Sequence, residues 1–476
     1  MIKNLCLVKM TDKNLGASII SIEWYRNEVS KLLNTDTYSV VDGEDFELWK
    51  SISREADKIA SSLKNKFLRR YLRDQPSAVL PKFHGIPKVH KNPWKLRPIV
   101  PCHSWHTTGA ARILEAHIAM YLPRFPWVIE STSQFVKNLE MQKIMSTDNV
   151  WLVTADVEQF YTNVDLDLAK RRLAGIMKGS KLPGLLNIDE AMTLMDFVNK
   201  NTYFLYDDIT YKQEKGLAMG APCSGAIANL FLAWEEKSWL NAYKGPHLPL
   251  YNRYIDDIAF VFKGNKEELD HLMKTMVFTG LKLTFHVSND SAVFLDTKIL
   301  KADKSWDNVY TDLFAKPGNT HMYVPWSSAH PPSVKQAFVK AEMIRRKMIC
   351  SHDEDAEKQI ATFMTRLSER GYPRHFLNEI LGAVRRIPRR LLLPSSKGST
   401  SEKDLLLMPS HYDKIWYDIK TSRINAIFNK AIEEFFYKNP FRDALIIKSM
   451  HRSKNLKDFV DAINSSMLAE VAEGQI

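Results

Sequence analysis

Two adjacent aspartates, Asp256 and Asp257, stand directly before Ile258-Ala259-Phe260-Val261-Phe262. A run this apolar reads as a buried strand. Two charges at its mouth fit either a solvated turn, for which aspartate is well suited, or a place beside cations that neutralise them. With Tyr254-Ile255 just upstream, a tight turn between two strands would set both carboxylates at a sheet edge. An isolated pair favours the plain turn, and two further segments shift that balance. Leu152-Val153-Thr154-Ala155 is a second apolar strand that ends in Asp156 and runs on through Val157-Glu158-Gln159-Phe160-Tyr161. Between the two lies Gly216-Leu217-Ala218-Met219-Gly220-Ala221-Pro222, a glycine-rich turn entering a helical stretch that carries Asn229. Strand and Asp, then turn and helix, then an aromatic-x-Asp-Asp hairpin, in that order, form a specific constellation.

Three carboxylates brought together suit one kind of chemistry. Two divalent ions ~3.5–4 Å apart activate an attacking hydroxyl and neutralise a leaving group in phosphoryl transfer. Magnesium prefers oxygen ligands and keeps several waters, so a few carboxylates and the substrate phosphates suffice. Two Mg2+ ions, or Mn2+ in their place, are therefore expected. Asp156 and Asp256 are the expected bridging ligands, with Asp257 closing the site.

The rest of the composition is consistent with such a substrate. Sixty-six Lys and Arg against fifty-five Asp and Glu leave a formal charge of +11 on 476 residues, which favours a polyanionic partner. Cys6, Cys102, Cys223 and Cys350 are far apart and form no Cys-x-x-Cys pair. That pattern argues against a disulfide framework or a cysteine-rich zinc site and suits a reducing, intracellular compartment. Residues 1–10, interrupted by Lys3 and Lys9, do not form a secretory signal. The apolar runs fall short of the ~20 residues of a membrane span, so a soluble protein with no membrane partner is expected.

Along the chain, Phe46, Trp49, Ile52, Ala56, Ile59, Leu63, Phe67 and Tyr71 recur at helical spacing, predicting one long helix over 45–73 that ends in Arg69, Arg70 and Arg73. Those arginines suit either a solvated helix end or a nucleic-acid contact. Strand-like runs then alternate with helical patterns at 186–201, 224–240 and 266–276, out to a strand at 292–300. After Pro331 and Pro332 the pattern is helical near 333–350, 354–370, 374–386 and 411–437, with a polar break over 394–403. The fold class expected is α+β, with an antiparallel sheet carrying the carboxylates and helices packed on it.

Phe83-His84-Gly85-Ile86-Pro87-Lys88-Val89-His90-Lys91 leads into Trp94-Lys95-Leu96-Arg97-Pro98-Ile99. Lys88 and Arg97 on such a hairpin could close over a triphosphate, for which a guanidinium fork is suited; an exposed basic turn is the plainer reading. Tyr161, five residues after Asp156, is either a core aromatic or a ring that collides with a ribose 2′-hydroxyl. Gly220 either permits close backbone approach to a template–nucleotide pair or marks a helix entry. Arg345, Arg346 and Lys347 could track a duplex backbone, although a solvated face is nearly as good a reading. Arg385, Arg386, Arg389 and Arg390 form the densest basic cluster.

These motifs resemble reverse transcriptases, and more narrowly the Penelope-like retroelement family, whose enzymes are relatives of telomerase. The resemblance runs from Asp12-Lys13-Asn14-Leu15-Gly16 through Ile86 to Lys91, Leu96-Arg97-Pro98-Ile99 and Tyr161-Thr162-Asn163-Val164. It continues through Gln213, Gly216, Ala218 to Pro222, Ala228-Asn229-Leu230-Phe231, Arg253-Tyr254-Ile255-Asp256-Asp257 and Phe294-Leu295-Asp296. It ends at Arg345-Arg346, Cys350-Ser351 and Lys454-Asn455-Leu456-Lys457-Asp458. Met219 departs from the Gln that many reverse transcriptases carry.

The resemblance implies a right-hand polymerase with an N-terminal extension (1–75), fingers and palm (76–310), a helical thumb (311–395) and a helical C-terminal extension (396–476). It implies catalytic Asp156, Asp256 and Asp257. Lys88, Arg97, Tyr161, Met219 and Gly220 would contact the nucleotide, and Lys91, Gln213, Arg345 and Arg346 the nucleic acid. RNA template, a DNA or RNA primer and deoxynucleoside triphosphates are the implied partners. No GIY-YIG nuclease and no zinc-knuckle cysteines precede the end at Ile476, so an endonuclease-lacking form is expected. A non-catalytic nucleic-acid-binding scaffold and an RNA-making polymerase are the rival expectations.

Overall fold

In the computed structural model, strands β1 (Cys6–Met10) and β2 (Ala17–Ser21) form a hairpin that runs directly into helix α1 (Ile22–Leu33), where the Ser21 hydroxyl accepts from the Trp24 amide. The structure describes residues 6–12, 15–41, 45–73, 78–142, 144, 149–180, 185–243, 247–301 and 309–394, together with 405–411, 426 and 445–451. Lys13, Asn14, the 454–458 motif and most of the polar break at 394–403 lie outside them. By contacts the chain divides into one unit of residues 1–321 with 345–363, and a second of 322–344 with 364–476.

In the first unit, β3 (Tyr38–Val40) is followed by α2 (Asp45–Ser62) and α3 (Lys66–Arg73), two helices where one was expected. Asn65 explains the break. Its side-chain oxygen accepts from the amides of Phe67 and Leu68 at 2.9 and 3.3 Å, capping a new helix where apolar spacing alone runs on. Strands β4 (His84–Lys88) and β5 (Lys95–Ile99) make the basic hairpin, and α4 (Thr108–Ala119) and α5 (Thr132–Glu140) follow.

The central sheet begins with β6 (Val150–Val157). Helices α6 (Phe160–Asn163), α7 (Leu166–Lys178) and α8 (Ile188–Lys200) follow, then strands β7 (Tyr203–Tyr206) and β8 (Ile209–Gln213), which join β3 in a separate sheet. Helix α9 (Ser224–Ala242) leads to β9 (Leu250–Tyr254), β10 (Asp257–Lys263), α10 (Lys266–Thr275) and β11 (Leu283–Ser288). The sheet order is β11-β6-β10-β9, antiparallel throughout.

Strand β10 is buried on both faces. Ile258, Phe260 and Phe262 join the larger core with α4, α7, α8 and α9, whereas Ala259 and Val261 join a smaller core with Phe135, Leu139 and Phe294. This two-sided burial is why the run reads as continuously apolar rather than alternating. The strand expected over 292–300 is in fact a hairpin, β12 (Ser291–Phe294) and β13 (Thr297–Lys301), extended by β14 (Val309–Leu313). Leu295 takes a positive φ of 56° in its tight turn, which apolarity alone does not signal.

Helices α11 (Pro332–Ile349), α12 (Asp353–Glu369) and α13 (Arg374–Arg385) fall where the sequence places them. In the second unit, Trp326 packs on Tyr372 and Phe376 at 5.3 and 5.0 Å between ring centres, and Lys335 donates to the Trp326 and Ser328 carbonyls. Beyond 396, residues 405–411 and 445–451 form two parallel strands, β15 (Leu405–His411) and β16 (Leu445–His451), where helix was expected. Runs as short as Leu405-Leu406-Leu407 do not distinguish strand from helix by periodicity. Apart from 411 and 426, the helix expected over 411–437 lies outside the described residues. No helix among the described residues is long and apolar enough to cross a membrane.

Candidate active site

Strand pairing brings the three aspartates together. Asp156 on β6 is the antiparallel partner of Asp257 on β10, and Asp257 in turn pairs with Tyr254 on β9. Ile255 and Asp256 are therefore the two-residue turn of the β9–β10 hairpin, and the Val157 amide donates to the Asp256 carbonyl at 3.3 Å. Paired residues of antiparallel strands sit roughly 4.5–5.5 Å apart at Cα, so the acidic positions from two distant segments adjoin. Asp156 is exposed and Asp256 and Asp257 are half-buried at this sheet edge. Among the described residues, no three His, Cys, Asp or Glu side chains are gathered tightly enough to form a finished cation cage. The donor chemistry of the three aspartates, carboxylate oxygen alone, fits a hard divalent cation.

Behind the turn lies a group of residues that sequence reasoning did not assign. Arg253 and Glu236 are both fully buried, with Arg253 Nε donating to Glu236 Oε1 at 2.7 Å. Arg253 Nη1 donates to Asn229 Oδ1 at 2.5 Å and to the Ile255 carbonyl at 2.8 Å, and Nη2 donates to the Asn229 carbonyl at 3.0 Å. Tyr251 Oη and Trp127 Nε1 donate to the two Glu236 oxygens at 2.7 and 2.8 Å. The one signal in the sequence is Glu235-Glu236 in an otherwise apolar stretch of α9, a pair that burial makes costly unless it is partnered.

The nucleotide side is built from the basic hairpin, α6 and the glycine-rich turn. Arg97 pairs with Ile86 across β4–β5, and its Nη2 lies 3.2 Å from Asp12 Oδ2. Lys88 stands opposite Lys95 near the hairpin end, and Lys91 is exposed at the tip. Tyr161 is half-buried on α6. Its phenol is pushed above the usual value, first by burial and then by the Asp256 charge, with Arg97 opposing. Tyr161 thus senses both the turn aspartate Asp256 and the hairpin arginine Arg97. Its carbonyl accepts from the Leu217 amide at 2.7 Å, tying α6 to the turn. A Cβ on Gly216 would lie 2.5 Å from Thr162 backbone.

Gly220 is pressed against the protein's own backbone. Its φ is +128°, and a Cβ there would meet the Val100 carbonyl oxygen at 2.2 Å. The close approach that requires glycine is to this protein's own β5 exit, where the Val100 amide also donates to the Met219 carbonyl at 2.9 Å. Met219 and Gly220 therefore join the turn to the hairpin strand.

Two residues expected at nucleic acid lie largely inside the protein. Gln213 is buried and its Nε2 donates to the Lys215 carbonyl at 2.9 Å. Arg346 is 4% exposed, with its guanidinium carbon 4.1 Å from the Phe363 ring centre. Successive helical residues turn by about 100°, so a basic triplet cannot present all its members to one surface. Arg345 is instead partly exposed and grips Asp296, with Nε at 2.8 Å and Nη2 at 2.5 Å from Oδ2. Thr132 donates to the other Asp296 oxygen. Arg385 and Arg386 are exposed at the end of α13, and Arg390 in the short 3-10 turn that follows it.

Residues 86–299 match the reverse transcriptase (RNA-dependent DNA polymerase) family, and residues 322–381 match the animal helix-turn-helix domain. Comparison with curated proteins gives no match. Among solved structures, telomerase from Candida albicans in complex with a TWJ fragment of telomeric RNA superposes with a TM-score of 0.56 at 10% identity, covering 79% of this chain and 62% of that one. Apo telomerase from Candida tropicalis gives 0.47 at 11% identity, covering 80% and 70%. The BmCPV RNA-dependent RNA polymerase at elongation state gives 0.40 at 10% identity, covering 77% and 35%. The chain thus spans about 62% of the length of the Candida albicans telomerase. Residues 86–299 are thus similar to reverse transcriptases, and the chain has the right-hand polymerase fold.

Proposed function

We propose that this protein is an RNA-directed DNA polymerase of the Penelope-like kind, extending a primer 3′ end with deoxynucleotides on an RNA template. The observation that carries the reading is the register of Asp156 against Asp257, with Asp256 in the adjoining turn, inside the segment that matches reverse transcriptases. The narrower subtype is supported by the motifs spread from Asp12 to Arg253-Tyr254-Ile255-Asp256-Asp257. Fingers and palm correspond to 76–310 in this reading, the thumb to 311–395, and residues 1–75 and 396–476 to extensions.

Asp156, Asp256 and Asp257 would hold two Mg2+ or Mn2+ ions. When bound, such ions supply charge neutralisation at the attacking and leaving oxygens. The protein's residues do the positioning. Arg97 and Lys88 offer cationic groups to the triphosphate, with Arg97 steadied by Asp12. The Tyr161 ring, beside Asp256, stands where a ribose 2′-hydroxyl would be excluded. Its raised phenol keeps the hydroxyl neutral, so it adds no charge near the phosphates. Lys91 on the hairpin tip and Arg345 beside the β12–β13 turn are the remaining candidates for contact with primer and template. Positioning and electrostatics provide most of the rate in phosphoryl transfer.

Metal-dependent primer extension on a homopolymeric RNA template tests the reading. Wild type should extend, and folded Asp256→Ala should not, while both bind the primer–template duplex. Duplex binding without extension by wild type would favour a non-catalytic scaffold. Preferential ribonucleotide incorporation would favour an RNA-making polymerase.

A further inference from the structure

The turn that carries Asp256 adopts a backbone conformation that its residues disfavour. Ile255, its first central residue, has a φ of +57°. Positive φ is unusual for any residue but glycine and is worst for a β-branched side chain; the hairpin turn types that match strand twist favour glycine or asparagine there. Something outside the turn must hold it.

The Arg253 guanidinium is in place to do so. Four hydrogen bonds leave its fork, one to the strained residue's own carbonyl, two to Asn229 on α9 and one to Glu236 on the same helix. The group is fully buried, as is Glu236. A buried ion pair is a weak source of stability compared with apolar packing, so stability alone is a poor reason for this one. Its geometry links the carbonyl of the turn to a rigid helix through a planar fork that lysine does not reproduce.

We propose that Arg253 is a positioning residue for the metal-binding carboxylates. It fixes the Ile255 carbonyl and with it the placement of Asp256, and Glu236 and Asn229 orient Arg253. The proposal rests on the metal-site reading given above.

The test measures Mn2+ binding by electron paramagnetic resonance on the full chain with a primer–template duplex and no nucleotide. Melting temperature and duplex affinity are measured in parallel. Wild type should bind Mn2+ in a manner that Asp256→Ala abolishes. Folded Arg253→Lys should bind it about tenfold more weakly or worse, the usual consequence of losing an outer partner of a metal ligand, with duplex affinity within about twofold. Asn229→Ala, which removes one of the four bonds and leaves the ion pair, should weaken Mn2+ binding by about threefold. Ile255→Gly in the Arg253→Lys background should recover most of the affinity, because glycine adopts the positive φ without strain. A folded Arg253→Lys or Asn229→Ala with wild-type Mn2+ affinity overturns the proposal, as does a glycine that fails to rescue. Wild type with no Asp256-dependent Mn2+ binding overturns the metal-site reading itself.

Discussion

Asp156 and Asp257 are direct partners across the β6–β10 pairing, although a hundred residues separate them in the chain. Two like charges held opposite each other repel until a cation binds between them. Cation binding should therefore stabilise the fold, by about 1.4 kcal/mol at ten times the dissociation constant. Thermal melting with and without Mg2+ or Mn2+ checks this. Asp156→Asn should melt without metal within ~0.5 kcal/mol of wild type, lose the metal-dependent rise, and lose extension by a factor on the order of 10²–10³.

Tyr161 separates a steric effect from an acid–base one. Tyr161→Ala should raise ribonucleotide incorporation relative to deoxynucleotide, and Tyr161→Phe should leave selectivity unchanged. Burial and Asp256 push the phenol above its ordinary value, so it stays protonated throughout the working range. The pH profile of extension between about pH 6 and 9 should be the same for Tyr161→Phe and wild type. A shifted profile would assign the hydroxyl a proton-transfer role.

The glycine-rich turn makes a stability prediction. Gly216→Ala and Gly220→Ala each force a Cβ onto backbone at 2.5 and 2.2 Å, at positive φ. Each should cost at least ~2 kcal/mol in urea unfolding. Gly382, on α13 with nothing within 4 Å of an added Cβ, is the control; Gly382→Ala should stabilise by roughly 0.5–1 kcal/mol.

His117 on α4 gives a pH dependence of stability. It is fully buried, and among the described residues neither ring nitrogen has a hydrogen-bond partner. Burial lowers its pKa to about 4, with Glu190 opposing. The folded value lies below the unfolded one, so the unfolded chain binds the proton more readily. Stability is unaffected above the unfolded value near 6.5 and falls progressively as pH drops from there toward 4, by about 3 kcal/mol in the limit. Denaturant unfolding of wild type and His117→Phe between pH 7 and 4.5 should show this part of the slope in wild type alone.

How much of this was readable in advance depends on the range of the interaction. Asn187 and Asn265 cap α8 and α10 with side chains that reach only three residues along, and those helices begin where the sequence places them. Asn65 does the same for α3, but its cap is masked in the sequence because the apolar spacing continues past it. The burial of Arg346 and Gln213 is hidden for the opposite reason, since their sequence neighbourhoods are basic and polar. Packing of Arg346 over Phe363, and pairing of Gln213 with Tyr38 of β3, are set by segments that the local pattern does not register.

The sequence by itself determined the strands that carry Asp156 and begin at Asp257, the helix that carries Asn229, and the three helices after Pro331. These follow from apolar periodicity and caps, which act over a few residues. Only the tertiary structure decided that Asp156 meets Asp257, that Gly220 is pressed against Val100, and that Glu236 lies under Arg253 to hold the Ile255 turn. Each of these depends on strand register or helix packing between distant segments, and a one-residue slip in register would turn every side chain of a strand to the other face.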